Sequence, residues 1–227
     1  MKIFTAIPVR DIPDTPGDTL YIPNDGPMCD MGAKLNAAID AAREAGADWL
    51  CFHHTDLTIE TPELVEQQLS LAYNNGARVC GVIGSLICND TRWWMNSRPI
   101  NTWGGIMQGY KDGSVNPMID QAGFNPNMCI VDGCVLWIHR DMFKERVLTG
   151  MGMHLYDDDI CFRALASGYK VACVDVRCRH MSEGGYSPEE YERSRKIFMD
   201  YWKGRVDFAV LPGHSKFKQE RDDESGN

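Results

Sequence analysis

No two of the nine cysteines stand in a CxxC spacing, and Cys51, Cys80, Cys134 and Cys173 lie inside apolar, strand-like runs. That pattern disfavours a zinc knuckle or a disulfide framework and leaves buried free thiols in a reducing cytoplasm as the expectation. Long apolar stretches are missing as well. None approaches the roughly 18 residues of a spanning helix, and the opening "MKIFTAIP" begins a strand rather than a signal peptide, so no membrane insertion is expected. Basic residues are in deficit, 23 Lys and Arg against 32 Asp and Glu for a net charge of -9, which argues against a general nucleic-acid-coating role. There is no internal repeat and no long low-complexity tract. At 227 residues with 44% hydrophobic side chains, the chain is expected to form one globular domain with a substantial core.

What is present has a βαβαβ rhythm. A first strand covers about Lys2 to Pro8, and a Pro/Gly/Asp-rich connection runs from Asp11 to about Met31. The segment "GAKLNAAIDAAREAG" places Leu35, Ile39 and Ala42 at near-helical spacing and ends at Gly46. Then come the buried strand from Trp49 to Phe52, a helix from about Pro62 to Asn75 closed by Gly76, and the strand "RVCGVIGSLI". The alternation implies an α/β domain with a mixed, mainly parallel sheet flanked by helices. Residues 89–127, rich in Gly, Asn and Trp, read as a long irregular segment of the kind that serves as a lid or binding loop. Regular pattern resumes with "CIVDGCVLWIHRDMF", the helix "YDDDICFRALASGY" and the strand "KVACVDVRCRH". The domain is expected to span 1–204, with 205–227 a partly disordered tail.

Four groups of residues could carry chemistry. "WLCFHHTDL" ends a buried strand on His53, His54 and Asp56, at the sheet end where ligands of open α/β sheets bind. Read as extended chain, His54 and Asp56 point to one side and suit a divalent ion that completes its shell with water or diphosphate oxygens, Mn²⁺ or Mg²⁺ rather than structural zinc. Hydrogen bonding at a strand end explains the same residues about as well. Asp157, Asp158 and Asp159 open a helix, where one acidic residue suffices to complement the helix dipole. Three in succession repel one another, so at least one is expected to face a site as general base or sugar ligand. His180 closes the strand "KVACVDVRCRH" and meets His54 and Asp56 if the strands are parallel neighbours. Asp132 and Gly133 start an apolar strand where Gly permits close approach of backbone to a ligand.

Taken in order, "GAKLNAAIDAAREAGADWLCFHHTDL", "GVIGSLICNDTRWW", "VDGCVLWIHRDMF" and "HLYDDDICFRALASGYKVACVDVRCRHMSEG" resemble a small GT-A glycosyltransferase, similar to family-2 enzymes and to the StrF-like (streptomycin biosynthesis) group. The resemblance runs from about Met31 to Trp202. It implies a GT-A, Rossmann-like fold and a metal-dependent transfer of sugar from a nucleotide-sugar, UDP-sugar by family habit, to a hydroxyl acceptor with inversion. His54-Thr-Asp56 stands where the family carries its metal-binding DxD, and His180 matches the late histidine that can complete the metal site. Tyr156-Asp157-Asp158-Asp159 matches the E-D-x-D motif, which implies Asp157 as general base and Asp159 as its assistant, while Tyr156 in place of Glu leaves the assignment between Asp157 and its neighbours open. Asp132 and Gly133 match the segment that approaches donor sugar and acceptor. Ile7, Pro8 and Val9 match the nucleotide-base pocket, with Asp25 placed against the donor, although the connection to "YIPNDG" is shorter than the family's usual first helix.

The acceptor expected on this reading is a saccharide or small metabolite, or a hydroxymethylated base in DNA flipped out of the duplex. The cluster Lys203, Arg205, Lys216 and Lys218 permits the DNA reading and the net charge does not encourage it. Trp93, Trp94 and Trp103 could stack on a sugar ring or base, or simply pack in the core. Two other functions fit the same residues: a nucleotide-sugar-binding protein without turnover, and a metal-dependent hydrolase.

Overall fold

A computed structural model describes residues 1–9, 19–23, 30–88, 91, 101–110, 114–121, 123–182 and 187–206. In chain order the elements are β1 (Ile3–Val9), β2 (Thr19–Pro23), α1 (Met31–Glu44), β3 (Trp49–His53), β4 (Leu57–Ile59), α2 (Val65–Asn74), β5 (Ala77–Gly81) and β6 (Ile83–Ser85). They continue with β7 (Thr102–Gly109), β8 (Val115–Gln121), β9 (Asn125–Met128), β10 (Ile130–Val131), β11 (Val135–His139), α3 (Tyr156–Ala166), β12 (Lys170–Cys173), β13 (Cys178–His180) and α4 (Pro188–Trp202).

The strands form two sheets in one mixed α/β domain. The larger has the order β2-β1-β3-β11-β5-β12-β9 and the smaller the order β10-β6-β7-β13-β4, with β8 on β7. In the larger sheet β2-β1-β3 and β5-β12 pair in parallel, while β11 lies antiparallel between β3 and β5. The sheet is therefore mixed and mainly parallel, with β2, β1, β3, β5 and β12 running one way and β11 and β9 the other. The βαβ rhythm places β3 and β5 in one direction, and it carries no information that a strand from much later in the chain separates them.

Helix α1 forms because Asp30 caps it, its carboxylate accepting from the Gly32 and Ala33 amides at 3.1 and 3.3 Å. Leu35, Ala38, Ile39 and Ala42 recur at helical spacing, are buried, and face β1 and β3. Gly46, at φ 61°, turns the chain out of the helix into β3. All four residues Trp49 to Phe52 are buried, as befits a strand covered on both faces. Helix α4 has Ser187 as its cap and Pro188 in its first turn, and it buries Tyr191, Ser194, Phe198 and Trp202 along one face. The core is one contiguous buried cluster, and eight of its cysteines are free thiols.

Within 89–127 the described residues form strands β7 and β8, an antiparallel pair, and most of β9, rather than an irregular lid. Trp103 donates its indole N–H to the Gly123 carbonyl at 2.8 Å and packs against the core; Trp93 and Trp94 lie outside the described residues. "KVACVDVRCRH" is two strands in different sheets, β12 and β13. The chain also switches sheets at 54–56, at Val82 and at 132–134, so four crossings gather at one end of the larger sheet. Of the expected tail, Arg205 and Val206 are described, and Arg205 lies over the Tyr201 ring at 4.6 Å. Lys216 and Lys218 fall outside the described residues. Among those described, no helix is long and apolar enough to cross a membrane.

Candidate functional site

The crossings bring the predicted residues together. After β3 the chain makes a turn, closed by the Leu57 amide on the His54 carbonyl at 3.3 Å, so His54 and Asp56 are not on extended chain as their spacing was read. They converge nonetheless, because antiparallel pairing of β4 with β13 sets His180 opposite Leu57 and hydrogen-bonds the Met181 amide to the Asp56 carbonyl at 2.9 Å. His180 thus arrives by antiparallel rather than parallel pairing. Among the described residues, His54, Asp56 and His180 form a group whose ligand atoms lie within 4.8 Å of one another.

Two imidazole nitrogens and a carboxylate suit a divalent cation that keeps open positions for oxygen ligands. Nε2 of His180 is buried without a hydrogen-bond partner and lies 3.3 Å from Asp56 Oδ1, off the alignment a hydrogen bond needs. A buried nitrogen that faces a carboxylate without a hydrogen bond between them suits two groups that would share a cation. The adjacent His180 holds the Asp56 carboxyl below its usual range despite partial burial. Burial keeps His54 low, opposed by Asp132, so its imidazole is neutral and has a lone pair to offer.

Which lone pair follows from Tyr156. Its hydroxyl donates to the Gly133 carbonyl at 2.8 Å, and the same oxygen lies 3.0 Å from His54 Nε2. With the hydroxyl proton committed to Gly133, Nε2 must be the donor, which leaves Nδ1 of His54 bare for a cation. Tyr156 therefore fixes the tautomer of a candidate ligand.

Beside this trio a cavity of about 160 Å³ is lined by His54, Asp132, Gly133, Cys134, Met153, His154, Leu155, Tyr156, Asp157, Asp158 and Tyr191. Gly133 is clamped from both sides: its carbonyl accepts from Tyr156, and its amide donates to Asp157 Oδ2 at 2.8 Å. A Cβ on Gly133 would collide with the Tyr156 hydroxyl and sit 3.0 Å from Asp157 Oδ2, so the close approach requires glycine. Asp132 accepts the Cys134 amide at 2.9 Å across the sheet crossing. Leu155 caps α3 at φ 61° with no side-chain hydrogen bond, the sole non-glycine residue of positive φ among those described. A left-handed leucine costs about 1–2 kcal/mol, and here it turns the first residues of α3 towards the cavity.

Burial and the charge of Asp132 push the Asp157 carboxyl up to about 7, against the lowering effect of backbone amides from Gly133, Asp157 and Asp158. Asp158, only 2% exposed, rises well above its ordinary value through burial and then through Asp157 and other neighbours. Its Oδ1 has no hydrogen-bond partner.

Asp159 does not belong to this site. Its Oδ2 accepts from the Leu148 amide at 2.9 Å and Arg163 Nε at 2.8 Å, while Oδ1 accepts from Trp202 Nε1 at 2.8 Å. Buried at 0% exposure, it ties α3 to α4 and to the preceding loop, and no oxygen is left for an assisting role. Ile7 and Pro8 sit at the same end of the sheet, as the parallel register of Ala6 with Phe52 requires, but they do not line the cavity. Val9 ends β1, and Asp25 lies outside the described residues. Met153, His154 and Tyr191 also line the cavity and stand in none of the clusters that the sequence singles out. Tyr191 was reachable, since "SPEEYERSRKIFMDYW" has a Ser cap, a Pro in the first turn and helical apolar spacing. The approach of His154 to Tyr191, ring centroids 5.4 Å apart, has no local sequence signal.

No protein-family model matches this chain, and no curated protein matches it. Among solved structures, the crystal structure of A197 from STIV aligns with a TM-score of 0.48 at 13% identity, covering 80% of this chain and 86% of that one.

Proposed function

We propose that the protein is a metal-dependent glycosyltransferase that moves a sugar from a nucleotide-sugar, UDP-sugar in the first instance, to a hydroxyl acceptor with inversion. The observation that carries the reading is the convergence of His54, Asp56 and His180 beside a cavity whose wall presents Asp157. His54, through Nδ1, with His180 and Asp56 would hold Mn²⁺ or Mg²⁺. When bound, the cation would supply Lewis-acid stabilisation of the departing diphosphate.

The protein's own part is positioning and proton transfer. The Gly133 amide holds the Asp157 carboxyl through Oδ2 at the cavity wall, where it would meet an acceptor hydroxyl. As the acceptor oxygen bonds to the anomeric carbon, the bond from that carbon to the donor phosphate breaks with its electron pair, and the hydroxyl proton passes to Asp157. A carboxyl pushed up to about 7 is a stronger base than an ordinary aspartate and is still substantially ionised at neutral pH. The buried free thiols favour a reducing cytoplasm as its location.

The test is a thermal-shift titration with UDP, GDP, CDP and dTDP, with and without Mn²⁺, on wild type and Asp56→Ala. A cation-dependent stabilisation by one nucleotide, about 2.7 kcal/mol at a hundredfold excess over Kd and absent in the variant, is expected. No response to any nucleotide overturns the reading. Turnover assays on Asp157→Asn separate a transferase, which loses roughly 10²- to 10⁴-fold while keeping donor affinity, from a binding protein that loses nothing.

A further inference from the structure

A second concavity lies at the other end of the larger sheet. Its volume is about 460 Å³, against about 160 Å³ beside the metal trio, and a few hundred Å³ is the size that takes small molecules. Arg43, Arg140 and Lys144 stand on its wall, with Gly46, Ala47 and Phe143 between them. Ala47 precedes β3 and His54 follows it, so the five residues of that strand, at about 3.3 Å each, hold the two sites roughly 17 Å apart.

The wall is cationic in a chain whose net charge is -9. Its one carboxylate among the described lining residues, Asp141, is already matched, since Oδ2 accepts from Arg78 Nε at 2.6 Å. Arg43 donates through Nη2 to Asp40 at 2.6 Å and through Nη1 to the Phe143 carbonyl at 3.4 Å, and Arg146 shares the same Asp40. Nη1 of Arg140 meets Asp48 Oδ1 at 3.1 Å. These contacts hold both guanidinium groups in place and use a minority of the five N–H donors each carries. Lys144 has no ion pair or hydrogen bond among the described residues. Helix α1 ends here with the equivalent of about half a negative charge, which Lys2 answers at the Ala45 carbonyl. Two positive charges are left over: one because Arg43 and Arg146 share a single carboxylate, the other on Lys144.

We propose that this cavity binds a small molecule through a dianionic phosphate monoester, held by Lys144, Arg43 and Arg140. Guanidinium groups present N–H donors in a fork that matches phosphate oxygens, and the lysine adds a compact charge. Phe143, Gly46 and Ala47 leave an uncharged surface for the rest of the molecule. A monoester dianion answers both surplus charges, whereas a phosphodiester carries one, so nucleic-acid backbone is the poorer match. The site does not rest on the transferase reading and needs no metal ion, because His54, Asp56 and His180 gather at the far end of β3.

The experiment is calorimetric titration of the full chain in low salt with EDTA, at a pH of about 8, where a phosphate monoester carries two charges. Glucose 6-phosphate, dimethyl phosphate and glucose are the probes. Glucose 6-phosphate is expected to bind at least about tenfold more tightly than either of the others. Lys144→Gln and Arg140→Gln should each weaken it at least about fivefold, whereas Arg193→Gln, on the exposed face of α4 and equal in charge change, should alter it less than about twofold. Lys144 is exposed and unpaired, so its variant keeps the fold, and thermal midpoints check this for all three. Asp56→Ala should bind glucose 6-phosphate as the wild type does. No binding at about 10 mM probe, equal affinity for the diester, affinity retained in Lys144→Gln, an equal loss in Arg193→Gln, or a loss in Asp56→Ala each overturns the proposal. Displacement of glucose 6-phosphate by a tighter-binding short DNA duplex overturns it as well, in favour of nucleic acid. Since EDTA and Asp56→Ala both remove the cation site, none of these results depends on whether a nucleotide-sugar binds there.

Discussion

Replacing Asp157 by Asn should make the protein more stable at pH 8 and leave it nearly unchanged near pH 4.5. The folded chain holds the Asp157 proton up to about 7, because burial and Asp132 both disfavour the anion, while an unfolded chain releases it near 3.9. Between those values folding takes up a proton. Stability therefore falls as pH rises through this window, by about 1.4 kcal/mol per pH unit, and levels off above it. The full window would give about 4 kcal/mol. The adjoining Asp158 carboxyl shares the proton uptake with Asp157, so about 2 kcal/mol is the working figure. Asparagine cannot titrate, yet it is close in shape to the protonated acid and can accept the Gly133 amide through its own oxygen. The difference in stability between variant and wild type should thus open by about 2 kcal/mol from pH 4.5 to 8, roughly 4–8 °C in Tm for a chain of this size. Urea unfolding across that range, with EDTA present to keep the neighbouring cation site empty, measures it directly. Parallel stability profiles for the two proteins would show that Asp157 ionises as an ordinary carboxylate and would remove the physical basis for its role as a tuned base.

Other perturbations address the remaining contacts. Tyr156→Phe deletes the hydroxyl that fixes the His54 tautomer, and Mn²⁺ affinity measured by calorimetry in the absence of nucleotide should fall about 10- to 100-fold; unchanged affinity would mean that His54 is not a ligand through Nδ1. Gly133→Ala places a Cβ against Tyr156 and Asp157 and should cost about 1–3 kcal/mol in urea unfolding, with loss of any turnover. Asp159→Ala leaves Arg163 and the Trp202 indole without their acceptor and should cost about 3–5 kcal/mol, a destabilisation that Asp157→Asn does not share.

The parts of the site that were legible in the sequence are those controlled by local pattern. An apolar run stopping on His54 and Asp56, a second stopping on His180, and an acidic helix start at Asp157 each announce a polar cluster where an element ends. Their convergence was inferred for a reason that differs from the actual one. It depends on β4 and β13 pairing across more than a hundred residues, and β13 was not separable from β12 by composition, since "KVACVDVRCRH" is one uninterrupted β-rich run. The assignment among three consecutive aspartates was equally beyond local reading. Asp158 and Asp159 are both buried, and the Leu148 amide and the Trp202 indole, both from outside α3, join Arg163 in making one a structural acceptor while Oδ1 of the other has no hydrogen bond. The hairpin of β7 and β8 was hidden by its Gly and Asn content, which mimics loop composition when the partner strand is unknown.

The place of β11 also bears on how the chain reaches this structure. Strands β3 and β5 point the same way and flank one gap, and the strand that fills it is made of Val135 to His139. On a ribosome, both flanking strands emerge long before their common partner, with open hydrogen-bonding edges and largely apolar faces. The larger sheet cannot close until that late segment arrives, so folding of the core has to wait for more than half of the chain. A nascent chain halted before Val135 would carry β3 and β5 as two unpaired, sticky edges, and it is at this stage of synthesis that the protein should depend most on chaperones.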